Sequence, residues 1–195
     1  MIVTIYIEPL YFMSRTKLDI KGTLEQRLSV VVASNRRPNI QTLLERSDFG
    51  SIIPYSLENI DVDLAGIKDG EKKIKTLYVE ALKLCDKVYC MILEDDIVFI
   101  YKDLQEVLFD NLISYNNDNN YVFDCSKRGF LRRNYCVNGN GAYCRIYSRY
   151  AVNQLIQCLP TCDRPVDVCL PQCLEGFEEK RFLLAQHAGF TSSRW

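Results

Sequence analysis

Two short, uninterrupted apolar runs constrain this chain more than any other feature. Leu28–Ala33 (LSVVVA) and Lys87–Leu93 (KVYCMIL) each end abruptly in polar residues. Runs of this length and β-branched character read as strands buried on both faces. Between them, Gly70–Cys85 sets Ile74, Leu77, Tyr78, Ala81, Leu82 and Cys85 on one face at helical spacing. Ile40–Arg46 reads as a short helix, and Gly50–Gly66 as a loop with a short strand. Asp103–Leu112 reads as a helix with Leu104, Val107, Leu108 and Leu112 inward. Tyr121–Asp124 and Ala142–Tyr147 read as strands. Ser148 is placed to cap a helix running through Leu159. Val166–Leu174 reads as a short helix entered through Pro165 and disturbed by Pro171, and Arg181–Ala185 as a last strand. Strands alternating with helices predict one α/β domain with a mainly parallel central sheet, Leu28–Ala33 lying beside Lys87–Leu93.

The 195 residues suffice for one domain with a proper core. A hydrophobic share of 48% and a charged share of 25% mark a globular chain rather than a disordered one. Net charge is −1, so nothing supplies the broad basic face of generic nucleic-acid binding, and no nucleic-acid partner is expected. No run approaches the ~18 apolar residues of a membrane span. Met1–Met13 is apolar but carries Glu8 and Pro9, without the basic start and small-residue cleavage site of a signal peptide.

Nine cysteines are many for a cytosolic domain. No close Cys-x-x-Cys pair marks a structural zinc site, and one histidine is present to help. Cys85 and Cys90 are expected in the core as small hydrophobes. Disulfides are expected among Cys136, Cys144, Cys158, Cys162, Cys169 and Cys173.

Glu94-Asp95-Asp96 follows the second apolar strand directly. In an open α/β sheet, ligands bind beyond the carboxyl ends of the strands. Carboxylates this close repel unless a cation neutralises them, and their oxygens suit Mg²⁺ or Mn²⁺ bridging to phosphates. Taken alone, the motif fits a solvated acidic turn almost as well. His187, the lone histidine, is followed by Gly189, Thr191, Ser192 and Ser193. That neighbourhood suits a phosphate or metal pocket, and a structural histidine equally. Asp167 opens a helix, where the dipole by itself favours an acid. Ser34-Asn35-Arg36-Arg37, after the first strand, could meet a nucleotide or simply be solvated.

Order and spacing of these segments resemble a family. Met91–Ile97 (MILEDDI), Phe123–Phe130 (FDCSKRGF), Pro165–Leu170 (PVDVCL) and Gln186–Ser193 (QHAGFTSS) resemble GT-A glycosyltransferases. Within them, the likeness is to N-acetylglucosaminyltransferase IV of N-glycan branching and to the GalNAc-transferase that decorates GPI anchors. The resemblance implies a Rossmann-like GT-A nucleotide-diphospho-sugar transferase fold over residues 28–195, with 1–27 as an N-terminal extension. It implies a metal-dependent, inverting transfer of an N-acetylhexosamine from a UDP-sugar to a GPI-anchor glycan or N-glycan. Glu94, Asp95, Asp96 and His187 would hold Mn²⁺ or Mg²⁺. Ser34, Asn35, Arg36, Arg37, His187, Ser192 and Ser193 would meet the UDP-sugar, and Asp167 would be the general base. The related families act in the Golgi or ER lumen and are attached to the membrane, whereas no anchor is read in this chain. A GT-A-like domain that binds a glycan or a partner without catalysis is the alternative.

Overall fold

The computed structural model describes residues 17–33, 66–94, 97–100, 104–114, 121–125, 144–181 and 184–187. Five strands build the central sheet: β1 Leu28–Val32, β2 Tyr89–Leu93, β4 Tyr121–Asp124, β5 Cys144–Ser148 and β6 Glu178–Arg181. Their spatial order is β1-β2-β5-β4-β6. Two further strands, β3 Ile97–Phe99 and β7 Ala185–His187, pair antiparallel in a small second sheet. The helices are α1 Lys17–Arg27, α2 Gly70–Lys83, α3 Leu104–Ser114, α4 Arg149–Cys158 and α5 Val166–Cys173.

The expected neighbours are neighbours. β1 and β2 pair in parallel from Leu28↔Tyr89 to Val32↔Leu93, and Ala33 N–H donates to the Leu93 carbonyl at 2.7 Å. The sheet as a whole is mixed. β4 and β6 pair in parallel, while β5 runs antiparallel to both its neighbours, β2 and β4. So β1, β2, β4 and β6 share one direction, and their carboxyl ends define one edge of the sheet.

Side chains alternate between the two faces of each strand, and each face is covered. On one side Leu28, Val32, Met91, Leu93, Phe123 and Ile146 pack with Leu24 of α1 and Leu104, Leu108 and Leu112 of α3. On the other, Val31, Ile92, Val122 and Tyr147 pack with Leu77 and Leu82 of α2, Leu155 of α4 and Leu170 of α5. The result is three layers, helix–sheet–helix. Residues expected as an extension thus supply Leu24 to the core through α1, which runs directly into β1. No helix among the described residues is long and apolar enough to cross a membrane.

Local chemistry explains most element ends. Ser148 Oγ accepts from Ala151 N–H at 3.2 Å and caps α4 as expected. Asp69 caps α2 by accepting from Glu71 N–H. Ser29, buried in β1, donates to Asp86 Oδ1 at 2.9 Å and accepts from the backbone N–H groups of Asp86 and Lys87. That fixes the turn between α2 and β2. Gly176, at φ 93°, takes the left-handed turn from α5 into β6.

Several expectations are corrected. The last strand, expected over Arg181–Ala185, is two strands in different sheets, β6 and β7. Its charged first half, Glu178–Arg181 (EEKR), pairs through backbone at the sheet's edge, where no apolar pattern is required. Ile74, expected inward on α2, is 38% exposed. Cys85 and Cys90 are buried as expected but are joined as a disulfide, with Cα atoms 5.5 Å apart. The other bridges fall in the expected region, Cys158–Cys173 and Cys162–Cys169. Cys144 is in none of them. Cys136 lies outside the described residues, as do the helix expected at Ile40–Arg46 and the loop at 50–65.

Candidate active site

The carboxyl edge collects most of the segments singled out by their chemistry. β1 ends at Val32, level with Leu93 of β2, which is level in turn with Cys144 of β5. Ser34, Asn35, Arg36 and Arg37 follow Ala33 there, and Asp95 and Asp96 follow Glu94. All six lie outside the described residues, but each segment departs from a fixed point on this edge.

The chain returns from the acidic motif into β3, and β3 pairs with β7. Its register sets His187 opposite Ile97, the residue after Asp96. β7 is itself anchored to the central sheet. Leu184 N–H and Ala185 N–H both donate to the Cys125 carbonyl just past β4, at 2.9 and 3.2 Å, and Ile100 N–H donates to the Leu184 carbonyl at 2.9 Å. The final strand therefore crosses from the end of β4 to the residues following β2. Thr191, Ser192 and Ser193, beyond it, lie outside the described residues.

Asp167 sits in the first turn of α5, half-buried, after Pro165 at the cap. Topology sets its end of the molecule. α4 starts at the amino edge, where β5 ends, and lies back over the sheet. The chain must come back to the amino edge before β6, because Glu178 is level with Tyr121, the first residue of β4. α5 makes that return, so its first turn points toward the carboxyl edge. The Lys75 ammonium of α2 donates to the Cys162 carbonyl in the loop before α5, closing the helical layer there. The disulfides Cys162–Cys169 and Cys158–Cys173 fasten the middle and the last residue of this short helix.

Beneath the edge, on the α2 face, lies a polar cluster that sequence reasoning missed. The Tyr78 and Tyr147 hydroxyls are 2.7 Å apart and fully buried. Arg145, two residues before Tyr147 on the same face of β5, is only 2% exposed. Burial pushes the Tyr78 hydroxyl well above its ordinary range. The neighbouring Tyr147 adds to this, the Arg145 guanidinium opposes it, and the half-buried Glu94 carboxylate pushes it further up. Glu94 thus feels the protein interior as well as the edge. Its strand is buried at all five positions, which the sequence around Arg145 does not show.

Compared with known proteins, the chain matches no protein-family model and no curated relative.

Proposed function

We propose that this chain is a metal-dependent, inverting glycosyltransferase that moves an N-acetylhexosamine from a UDP-sugar to a glycan hydroxyl. The observation that carries the reading is the register of β3 with β7. It sets His187 opposite Ile97, the residue that follows Asp96 in sequence, near the edge at which β1 and β2 end. Oxygen donors from Asp95 and Asp96 with an imidazole nitrogen from His187 form a set that fits Mn²⁺ or Mg²⁺. A bound ion would neutralise the leaving diphosphate.

The residues divide the remaining work. Arg36 and Arg37 would meet nucleotide phosphate or uracil as the chain leaves β1. Ser192 and Ser193 would donate hydroxyl hydrogen bonds to the diphosphate beyond β7. The acceptor oxygen attacks the anomeric carbon, the bond from that carbon to the UDP oxygen breaks, and UDP leaves with the electron pair. Asp167 takes the acceptor's proton. Its helix dipole favours a carboxylate at that position. Three disulfides suit an oxidising lumen, the Golgi or ER side of the secretory pathway. A GPI-anchor glycan or an N-glycan would be the acceptor, in keeping with the family resemblance.

The decisive experiment is thermal unfolding with UDP, UDP-GalNAc and UDP-GlcNAc, with and without Mn²⁺. A ligand at a hundredfold excess over its dissociation constant stabilises the native state by about 2.7 kcal/mol. For a chain of this size that is a rise of roughly 5–10 °C. The rise should require metal and should vanish in Asp96→Ala. Equal stabilisation of Asp96→Ala would reduce the acidic motif to a surface turn. Binding without turnover of either donor would favour the non-catalytic glycan-binding domain.

A further inference from the structure

Four charged positions form a row just inside the carboxyl edge. Arg145 stands directly opposite Ile92 of β2 on one side and Asp124 of β4 on the other. Arg181 stands directly opposite Asp124. Residues directly opposite in a ladder share a face, so the positions of Arg145, Asp124 and Arg181 fall on the α2 face. Glu94 continues β2 two residues beyond Ile92, which is on that face with Val31, Val122 and Tyr147. It is therefore the diagonal neighbour of Arg145, a separation that long side chains span. In order across the sheet the row runs acid, base, acid, base.

A guanidinium 2% exposed must be neutralised nearby. The cost of burying it alone is several kcal/mol even after relaxation. The diagonal carboxylate of Glu94 is the partner the register provides. The hydroxyl of Tyr78 lies within the fields of both Arg145 and Glu94, which puts the two charges around one buried point.

We infer that Arg145 is a positioning residue of the edge site: it ties the end of β2 to β5 and holds Glu94 as its internal counter-charge. Glu94, although it begins the acidic motif, is then turned to the interior and is not a ligand of the metal. Asp95 and Asp96 follow in sequence from the end that Arg145 fixes. The metal half of this inference rests on the glycosyltransferase reading, whereas the pairing of Glu94 with Arg145 does not.

The test uses the full chain in four forms: parent, Glu94→Gln, Arg145→Met and the double variant. Thermal unfolding without ligand comes first. Arg145→Met strands Glu94 and should lower Tm by roughly 5–10 °C. Glu94→Gln should lower it as well, and the double variant should unfold above Arg145→Met. Simple addition of the two losses would overturn the pairing. If Arg145→Met does not fold, Arg145→Lys replaces it, and the same non-additivity with Glu94→Gln decides. Titration of UDP with Mn²⁺ follows. Arg145→Met should weaken binding at least tenfold, Arg145→Lys should restore it to within about threefold, and the double variant should bind better than Asp96→Ala by at least tenfold. A double variant as poor as Asp96→Ala would make Glu94 a metal ligand and overturn the assignment. A parent chain that shows no response to Mn²⁺ and UDP would remove the transferase reading, leaving the pairing to be judged on the unfolding data.

Discussion

Asp167 lies in the first turn of an eight-residue helix, where an acid is favoured whether or not it reacts. Asp167→Asn separates the two roles, because it keeps the shape and one oxygen but cannot accept a proton. Transfer should fall by about 10²–10⁴, with Mn²⁺-dependent UDP stabilisation unchanged. Initial rates set beside a UDP titration check this, and a matching loss of UDP binding would move Asp167 into the nucleotide site. Tyr78 gives a prediction of a different kind. Burial raises its pKa above the ordinary value near 10. Its share of stability is complete below that value. It is lost as pH climbs from there toward the folded pKa, since the unfolded chain releases the proton and the folded chain does not. Tyr78→Phe should cost about 0.5–1.5 kcal/mol at neutral pH, for the lost hydroxyl bond to Tyr147. The gap between variant and parent should narrow above about pH 10, followed by circular dichroism. Asp167 and His187 stood out in the sequence by residue type and neighbours. A position for His187 near the acidic motif was expected from the resemblance; the β3–β7 pairing that sets His187 opposite Ile97 was not, because β3 is a three-residue strand directly after three acids and shows no period of its own. Arg145 was hidden for a related reason: burial of a charge follows from which strands flank it, and no local pattern records that.

Among the elements, those with an apolar period were readable and those held from outside were not. β1, β2, β4 and α2 fall within a few residues of their expected spans because each buries a contiguous set of side chains. α1 was missed, since LDIKGTLEQ carries few apolar residues; among those described, Leu24 enters the core. β6 was missed because it is EEKR, and Lys180 lies over the Tyr121 ring at 4.8 Å instead of entering the core. α5 is an intermediate case. Eight residues with an internal Pro171 make a marginal helix on their own, and four cysteines admit three pairings that no sequence pattern distinguishes. The pairing adopted closes Cys158 to Cys173 around Cys162–Cys169. Replacing Cys158 and Cys173 together by Ser should cost about 3 kcal/mol, the closure entropy of a loop near 15 residues. The Tm should drop by roughly 6–12 °C. Because α5 carries Asp167, the same variant should lose transfer more than UDP binding. Equal losses would mean that the bridge supports the whole domain evenly.

At the scale of the molecule, the α/β alternation foretold an α/β domain with β1 beside β2, but the sheet is mixed rather than mainly parallel, and the order of its strands was not foretold. That order depends on β5, which enters between β2 and β4 and runs against both. Nothing within Cys144–Ser148 says where it inserts; the outcome follows from which edges remain open once the other strands have formed. A chain cut after Gly141 lacks this strand. It should show no cooperative thermal transition and should bind a hydrophobic dye, whereas the complete chain should melt in one step. A cooperative transition in the fragment would mean that β1 with β2 and the helices packed on them is a stable unit by itself.

The late position of β5 also sets a timetable for synthesis. β2 has left the ribosome about 50 residues before its second partner is made, and β4 about 20 before. During that interval two apolar strands each offer an open backbone edge, the condition that invites pairing with a neighbouring chain. Insertion of β5 then joins β2 and β4 at once, and β6 adds to the edge later. Slow translation through residues 125–144 would lengthen the exposure, so the yield of folded protein should depend on codon speed there more than anywhere upstream.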